Sequence, residues 1–281
     1  MHRRLLIRPG AIGDLIVCLP AMECLRADYL EIWAPAANLP LIRFADRTRS
    51  IAATGLDLLG VTEMNPRLVE ELRAFDSIVS WYGTRRQEFR ELVCSLGLPF
   101  TFLPAFPEAG GTTHVADFYL EQARALAQCE SDGIPRIACP RPAARGDFVV
   151  IHPFSGGRKK NWPIERFRQL ARDLEARLPV RWCAGPEEGL EGAMRFDNLY
   201  ELACWLASAR LYIGNDSGIT HLAASAGAPV VALFGPTDPA VWAPRGSRVR
   251  VVSTPARAQS MDALCLAEVR AVVYHTLEEF S

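Results

Sequence analysis

Short apolar runs alternate with longer amphipathic stretches along almost the whole chain, and this rhythm constrains the fold more than any other feature. A parallel sheet produces such a rhythm, because each buried strand is followed by a crossover helix that returns along one face of the sheet. The pattern argues against a β-sandwich or a helical bundle. The sequence therefore predicts an α/β protein built from βαβ units.

The rhythm runs through two similar halves. In the first half the predicted strands are Arg4–Arg8, Glu31–Ala34, Ser50–Ala53, Ser77–Trp81 and Phe100–Leu103. The helices predicted with them are Gly13–Ala27, Asn38–Asp46, Pro66–Phe75, Arg85–Leu96 and His114–Gln128. The predicted elements of the second half are strand Phe148–His152, helix Pro163–Leu178, strand Val180–Ala184, helix Leu199–Ala209, strand Leu211–Gly214, helix Gly218–Ala226, strand Val230–Phe234 and a closing helix, Met261–Glu279.

A linker is predicted between the halves, over Ile134–Asp147. This stretch holds three of the 20 prolines and lacks periodicity. At roughly 150 residues per domain, 281 residues suit two domains. We predict two Rossmann-like domains, 1–140 and 148–260, and a C-terminal helical segment, 261–281, that packs on either of them.

Composition excludes several classes of protein. The 31 basic and 32 acidic residues leave a net charge of -1, so no global positive field attracts nucleic acid or an anionic membrane. The eight cysteines are spread singly without a C-x-x-C, which predicts neither a zinc site nor a disulfide framework, but mostly buried thiols in a reducing cytosol. The N-terminus resembles no signal peptide, and no apolar run reaches the length of about 18 residues needed to span a membrane. We expect a cytoplasmic protein with at most peripheral contact to the inner face of the membrane.

Ligands of open parallel sheets bind beyond the carboxyl ends of the strands, so the residues after each predicted strand are the most informative. The first such loop is Arg8–Asp14, with the sequence RPGAIGD. Its glycines permit a tight turn, and Asp14 falls in the first helical turn, where it serves either as a helix cap or as a general base. From spacing alone the cap is the commoner role. The loop is not G-x-G-x-x-G, which argues against a dinucleotide-dependent dehydrogenase.

The second loop, His152–Pro163, has the sequence HPFSGGRKKNWP. Ser155 and the two glycines after it offer backbone N–H groups to phosphate oxygens, and Lys159 or Lys160 supplies the compensating charge. Such a loop suits a diphosphate, although it is not the G-x-x-x-x-G-K-[ST] motif. The alternative is a solvated basic loop.

The third loop, Gly214–His221, leads from a strand into a helix. Asp216 or Ser217 falls at the N-cap, and Gly218 allows a ligand to approach the unpaired N–H groups of the helix start. His221, one turn later, would face the same side. The alternative is a plain helix cap with a buried histidine.

Other motifs are missing from the chain. No D-x-D triplet occurs, so the metal-binding signature of one large class of nucleotide-sugar enzymes is lacking, which favours a metal-free mechanism. The chain also lacks G-x-S-x-G and H-E-x-x-H, which would indicate a hydrolase or a metalloprotease.

Three segments together resemble glycosyltransferase family 9, the ADP-heptose:lipopolysaccharide heptosyltransferases and their relatives. These segments are GAIGDLIVCLPA (10–21), HPFSGGRKKNWP (152–163) and the stretch 214–239, which begins GNDSGITH and ends FGPTDP. The resemblance implies a GT-B architecture, with two Rossmann-like domains whose parallel sheets face each other across a cleft. It also implies inversion at the anomeric carbon, no metal and no cofactor, and a donor such as ADP-heptose or another nucleoside-diphosphate sugar.

The same resemblance implies roles for individual residues. Asp14 is the implied catalytic base, and Lys160 the lysine on the donor diphosphate. Together with Ser155 of the second loop, the implied donor-binding residues are Glu201 near the ribose, Asp216, Ser217, Gly218 and His221. The chain departs from the family pattern in being short, and in reading YGTRR at 82–86 where a Q-G followed by a basic residue is frequent.

The acceptor side is predicted from the end of strand Ser77–Trp81, where Arg85 and Arg86 follow. Guanidinium groups pair bidentately with phosphate or carboxylate, so these arginines suit an anionic glycolipid or glycan of the cell envelope. The alternative is that both are solvated residues at the start of a helix. Nucleic acid is not an expected partner.

Three functions remain open. The leading one is a glycosyltransferase with a lipopolysaccharide core or other cell-envelope acceptor. The second is an epimerase or hydrolase of a nucleotide sugar, and the third is a binding protein without turnover. The presence of both Asp14 and Lys160 argues against a pure binder, which needs the lysine but not the base.

Overall fold

The computed structural model describes residues 1–59, 65–108, 110–140, 146–255 and 260–280. The chain divides into two compact units, Met1–Gly133 and Ile134–Ser281. Each unit contains one five-stranded sheet in which all paired strands are parallel. The predicted α/β class is therefore confirmed.

In the first unit, strand order is β3-β2-β1-β4-β5. The strands are β1 (Arg3–Ile7), β2 (Tyr29–Ala34), β3 (Arg47–Ser50), β4 (Ser77–Ser80) and β5 (Phe100–Phe102). The helices are α1 (Ile12–Cys24), α2 (Pro66–Arg73), α3 (Gln87–Ser95) and α4 (Val115–Arg124). The central strand β1 carries consecutive buried apolar residues, Leu5 to Ile7, because helices cover both faces of a parallel sheet.

In the second unit, strand order is β10-β9-β8-β6-β7. The strands are β6 (Val149–His152), β7 (Val180–Trp182), β8 (Leu211–Asn215), β9 (Val230–Phe234) and β10 (Val249–Ser253). The helices are α5 (Ile164–Glu175), α6 (Leu199–Ser208), α7 (Gly218–Ser225), α8 (Pro239–Trp242) and α9 (Leu266–Glu279).

The closing helix α9 packs on the second unit, a point that the sequence left open. Its buried side chains Val269, Val273 and Leu277 share one apolar cluster with the strands of that sheet. The Tyr274 hydroxyl also donates a hydrogen bond to the backbone oxygen of Asp173 on α5, at 3.1 Å. Residues 261–263, predicted as helix α9's first turn, form a separate 3-10 turn.

Several predicted elements are wrong in detail. The stretch predicted as helix Asn38–Asp46 is only a short 3-10 helix, Ala36–Leu41, which contains Pro40. The third strand is the polar segment Arg47–Ser50, not the apolar Ser50–Ala53. Polar residues are tolerated there because the strand lies at the edge of the sheet, where its one partner among the described residues is β2. Helix α8 and strand β10 were not predicted at all.

The division between the units lies at the start of the predicted linker rather than after residue 140. Residues 134–140 belong to the second unit, and two hydrogen bonds join them to it. The Ile137 N–H donates to the Ser225 backbone oxygen at 2.9 Å, and the Tyr200 hydroxyl donates to the Ala138 backbone oxygen at 3.0 Å. Residues 141–145 of the predicted linker lie outside the described residues.

Cys24 and Cys129 form a disulfide, although the sequence predicted no disulfide framework and mostly buried thiols. The sequence separation of 105 residues gave no signal, and the pair forms because α1 and α4 pack side by side. Cys94 and Cys265 are exposed, so these two are not buried thiols either. No helix in the described ranges is both long enough and apolar enough to span a membrane.

We predict that Cys129→Ser lowers the free energy of unfolding of the first unit by about 2–4 kcal/mol, because the disulfide restricts the unfolded chain. Urea unfolding in oxidising and reducing buffer measures this change. Dithiothreitol should lower wild-type stability to that of the variant and leave the variant unchanged. Cys94→Ser is the matched control, and equal stability of wild type and Cys129→Ser in oxidising buffer would contradict the bond.

Candidate functional site

Strand order reverses beside the first strand of each unit, and this reversal positions the candidate site residues. In the second unit the chain leaves β6 to one side through β7 and then returns to the other side as β8. Such a reversal opens a crevice at the carboxyl ends of the two diverging strands. The loops after β6 and β8, predicted as donor loops, begin at this crevice. In the first unit the reversal lies between β1 and β4, whose loops carry Asp14, Arg85 and Arg86.

An ion pair joins two of the predicted donor loops. The Lys160 ammonium lies 2.7 Å from Oδ2 of Asp216, whose side chain is 8% exposed against 34% for Lys160. The Thr237 hydroxyl, after β9, donates to the same oxygen at 2.5 Å. Loops after three neighbouring strands therefore meet at one carboxylate, which holds the lysine at the mouth of the crevice.

Hydrogen bonds of Asn215 hold the backbones of the same loops in place. Its buried amide donates to the Pro153 backbone oxygen at 2.7 Å and accepts a hydrogen bond from the Trp162 N–H at 3.1 Å. Its own backbone oxygen accepts from the Thr220 hydroxyl at 2.5 Å. The sequence placed Asn215 inside the third loop without a role, whereas the structure shows that it connects both loops.

The start of α7 offers free backbone donors. Ser217 is the N-cap, and its hydroxyl accepts a hydrogen bond from the Thr220 N–H at 3.3 Å. The N–H groups of Gly218 and Ile219 donate to no residue in the described part of the chain, as is usual at a helix N-terminus. His221 lies in the same first turn and is buried. Of the two cap candidates, Ser217 takes the role, and the Asp216 carboxylate is left for Lys160.

Two other predicted donor residues are placed less directly. The Ser155 hydroxyl accepts a hydrogen bond from the Gly157 N–H at 3.4 Å, so one of the expected phosphate donors is engaged within the loop. Glu201 lies in the first turn of α6 with an exposed side chain. Within the described residues, no hydrogen bond or ion pair joins its carboxylate to the Lys160 and Asp216 pair.

A contact between the buried His152, at the end of β6, and the half-buried Glu188 was not anticipated from the sequence. The His152 ring nitrogen Nε2 lies 3.1 Å from Oε2 of Glu188, which also accepts the Gly185 N–H at 2.6 Å. Burial acts to raise the pKa of the Glu188 carboxyl, but these hydrogen bonds and the charges of His152 and Arg195 outweigh it and lower the pKa. The pair anchors the loop after β7. Among the described residues, no three His, Cys, Asp or Glu side chains come together as a metal site.

Asp14 in the first unit uses only one of its two carboxylate oxygens in the fold. Oδ2 accepts a hydrogen bond from the Ala11 N–H at 2.9 Å, which caps α1. Oδ1 accepts none from the described residues. Gly10 has a φ of 113°, and a Cβ there would lie 2.6 Å from Oδ2, so only glycine fits beside the carboxylate.

Arg8, at the end of β1, is 1% exposed and lies directly beneath the first turn of α1. Its Nη2 donates to the Asp14 backbone oxygen at 3.0 Å and to the Tyr119 hydroxyl at 2.8 Å. Tyr119 in turn donates to the Ala105 backbone oxygen at 2.6 Å, in the loop after β5. Nε and Nη1 of Arg8 have no hydrogen-bond partner in the described residues. The sequence marked Arg8 only as the start of a loop, because the burial of an arginine has no signal in the local sequence.

The two predicted acceptor arginines differ in their surroundings. Arg86 donates to the Tyr82 hydroxyl, and its guanidinium lies 5.5 Å from the centre of the Phe89 ring. Arg85 is exposed and has no hydrogen bond or ion pair within the described residues. Both line a cavity at the carboxyl ends of β4 and β5.

Comparison with known sequences identifies the family. The model of glycosyltransferase family 9 (heptosyltransferase) matches residues 108–268, which is more than half of the chain. Lipopolysaccharide heptosyltransferase 1 of Escherichia coli K12 is 29% identical over 129 residues. That alignment covers 41% of the chain and 40% of the relative, so the matched part spans less than half of the relative's length.

Comparison with solved structures covers nearly the whole chain. The Escherichia coli heptosyltransferase WaaC with ADP superposes with a TM-score of 0.73 at 17% identity, over 98% of this chain and 99% of that one. The family 9 glycosyltransferase of Veillonella parvula gives 0.77 at 18% identity, over 99% and 97%. These likenesses confirm the predicted GT-B fold. The chain thus belongs to glycosyltransferase family 9.

Proposed function

We propose that this protein is an inverting, metal-independent glycosyltransferase, which moves a heptose from ADP-heptose or a similar donor to a lipopolysaccharide core or related cell-envelope acceptor. The observation that carries the proposal is the contact of Lys160 with Asp216 beside the free N–H groups at the start of α7. Curated relatives are lipopolysaccharide heptosyltransferases, and one solved relative contains ADP-2-deoxy-2-fluoro heptose. The proposed compartment of the reaction is the cytoplasm.

The second unit supplies the donor chemistry. Negative charge develops on the diphosphate as it leaves the sugar, and a helix N-terminus together with a lysine stabilises that charge. Lys160 has three N–H donors, so it donates to a phosphate oxygen while it keeps its contact with Asp216. No metal or cofactor is required for this step.

The first unit supplies the base. An acceptor hydroxyl must lose its proton as it attacks the anomeric carbon, and a positioned carboxylate takes that proton. Oδ2 of Asp14 is held by the Ala11 N–H, so Oδ1 is the oxygen that accepts the proton. A single displacement of this kind inverts the anomeric carbon.

The alternatives are separated by measuring nucleoside diphosphate release from ADP-heptose with and without acceptor. Release that requires the acceptor supports transfer. Release without acceptor would indicate a hydrolase, and donor binding without any release would indicate a binding protein. Conversion of the donor to an isomer would indicate an epimerase.

We predict that Asp14→Asn lowers the transfer rate by at least about 100-fold while donor affinity stays within a few-fold, because the amide cannot accept the proton. Steady-state kinetics and calorimetry with ADP measure the two quantities. Asparagine caps helices almost as well as aspartate, so thermal stability should change little. Transfer at a near wild-type rate would show that Asp14 is a helix cap and not the base.

We predict that Lys160→Ala weakens ligand binding progressively from adenosine to AMP to ADP, because the variant loses a cation and leaves the buried Asp216 carboxylate facing the phosphates. Equilibrium binding of the three ligands measures the trend. The neighbouring Lys159 is exposed, and its alanine variant is the matched control.

A second variant tests the ion pair itself. In Lys160→Ala/Asp216→Asn the repelling carboxylate is gone, so ADP binding should recover in part relative to the single variant. Equal losses for adenosine and ADP in Lys160→Ala would point to a general loop defect and contradict the assignment.

We predict that Arg85→Ala raises the acceptor KM and leaves donor affinity unchanged, because its guanidinium has no structural partner in the described residues. Arg86→Ala should raise the KM as well and also lower stability, since Arg86 binds Tyr82. Kinetics against each substrate measure both effects. Arg172→Ala, an exposed arginine on α5, serves as the control, and an unchanged acceptor KM in Arg85→Ala would leave the acceptor class open.

A further inference from the structure

A groove lies at the open edge of the first unit's sheet, between β5 and α3. Two adjoining cavities form it, of about 470 and 920 Å³. They share the residues Thr84, Arg85, Arg90 and Phe102. In the described part of the chain β5 pairs only with β4, so its outer edge borders the groove.

The groove carries an excess of positive charge. Arg85 and Arg90 are both exposed and have no carboxylate partner among the described residues. Arg90 lies with its guanidinium 5.4 Å from the centre of the Phe102 ring. Glu91 is the one acidic residue of the lining, and its carboxylate accepts a hydrogen bond from Gln87.

The same groove has an apolar wall. Phe100 and Phe102 stack with their ring centres 5.4 Å apart, and both line it. Phe106, at the mouth, is 48% exposed, and it is the one aromatic among the exposed large apolar side chains of the described residues. Unpaired arginines beside an exposed aromatic and an apolar wall are typical of a surface that meets both phosphates and acyl chains.

We propose that this groove docks the protein on an anionic bilayer, with a lipid phosphate bound by Arg85 and Arg90 and Phe106 inserted at the boundary of the acyl chains. Charge complementarity favours this occupant, because guanidinium groups bind phosphates bidentately and remain at the headgroup level. The inference rests on the proposed function, in which the acceptor is a glycolipid. The groove would hold the enzyme at the surface where that acceptor lies, with Arg85 at the carboxyl edge of the sheet.

Sedimentation of the full chain with vesicles tests the proposal. Vesicles of phosphatidylcholine alone are compared with vesicles that also contain phosphatidylglycerol, and neither carries acceptor sugar. Wild type should sediment with the anionic vesicles and much less with the neutral ones. Arg85→Gln/Arg90→Gln should lower the partition coefficient by roughly five-fold for each arginine. Arg172→Gln is the matched control and should bind as wild type does.

A separate variant tests the apolar wall. Phe106→Ser should weaken binding to anionic vesicles even at a salt concentration that screens the arginines. Phe106 is exposed, so circular dichroism should show an unchanged fold in this variant.

Several results would overturn the inference. One is that the wild type binds no vesicles, or binds neutral and anionic vesicles equally. Another is that the arginine double variant binds like the wild type. A third is full release from the vesicles by millimolar inorganic phosphate, which would indicate a free-phosphate site. A dimer in solution that Phe106→Ser dissociates would assign the groove to a second copy of the chain. ADP binding to the wild type is measured in parallel without vesicles, so failure of docking is distinguished from failure of the proposed function.

Discussion

The reversal of strand order beside β1 and β6 is the constraint on which the arrangement of the candidate site residues depends. At such a reversal, the loops that follow two neighbouring strands lead away in opposite directions and leave a gap between them. The gap cannot close, because the helices that follow the two loops cover different faces of the sheet. Lys160 and Asp216 are separated by more than fifty residues of sequence, yet they form an ion pair because β6 and β8 are neighbours. In the first unit the same reversal brings the loop of Asp14 next to that of Arg85.

Buried polar side chains, rather than the apolar core, fix the geometry at these gaps. The Asn215 side chain bonds to the loop after β6 at two points, and removing it would leave buried backbone groups unsatisfied at a cost of about 1–3 kcal/mol each. Arg8 makes comparable contacts in the first unit, where one nitrogen joins the first turn of α1 to Tyr119. Arg8 also places a positive charge beneath the loop that carries Asp14.

The sequence predicted what depends on local pattern and missed what depends on distant packing. Buried strands such as β6, β8 and β9 were predicted close to their observed limits, since continuous apolar runs identify them. The polar edge strand β3 was missed because it contains no apolar residues that could mark it as a strand. The Cys24–Cys129 disulfide was missed because it follows only from the packing of α1 on α4. The loops of the site were found from their position after strands. The contacts that orient these loops, above all the hydrogen bond from Thr237 to Asp216, could not be predicted from the sequence.

The helix-cap contact of Asp14 is compatible with the role of catalytic base that we propose for it. The cap uses Oδ2, which accepts the Ala11 N–H, whereas the proposed base would use Oδ1, which has no protein partner in the described residues. Capping restricts the rotamer of the carboxylate, and a base held in one orientation reacts more readily than a freely rotating one. Asp216 likewise combines two contacts, since the carboxylate that orients Lys160 is itself held by the Thr237 hydroxyl. A residue with an ordinary structural role is therefore not a weaker candidate for chemistry, provided that the structural contact leaves one functional atom free and aims it.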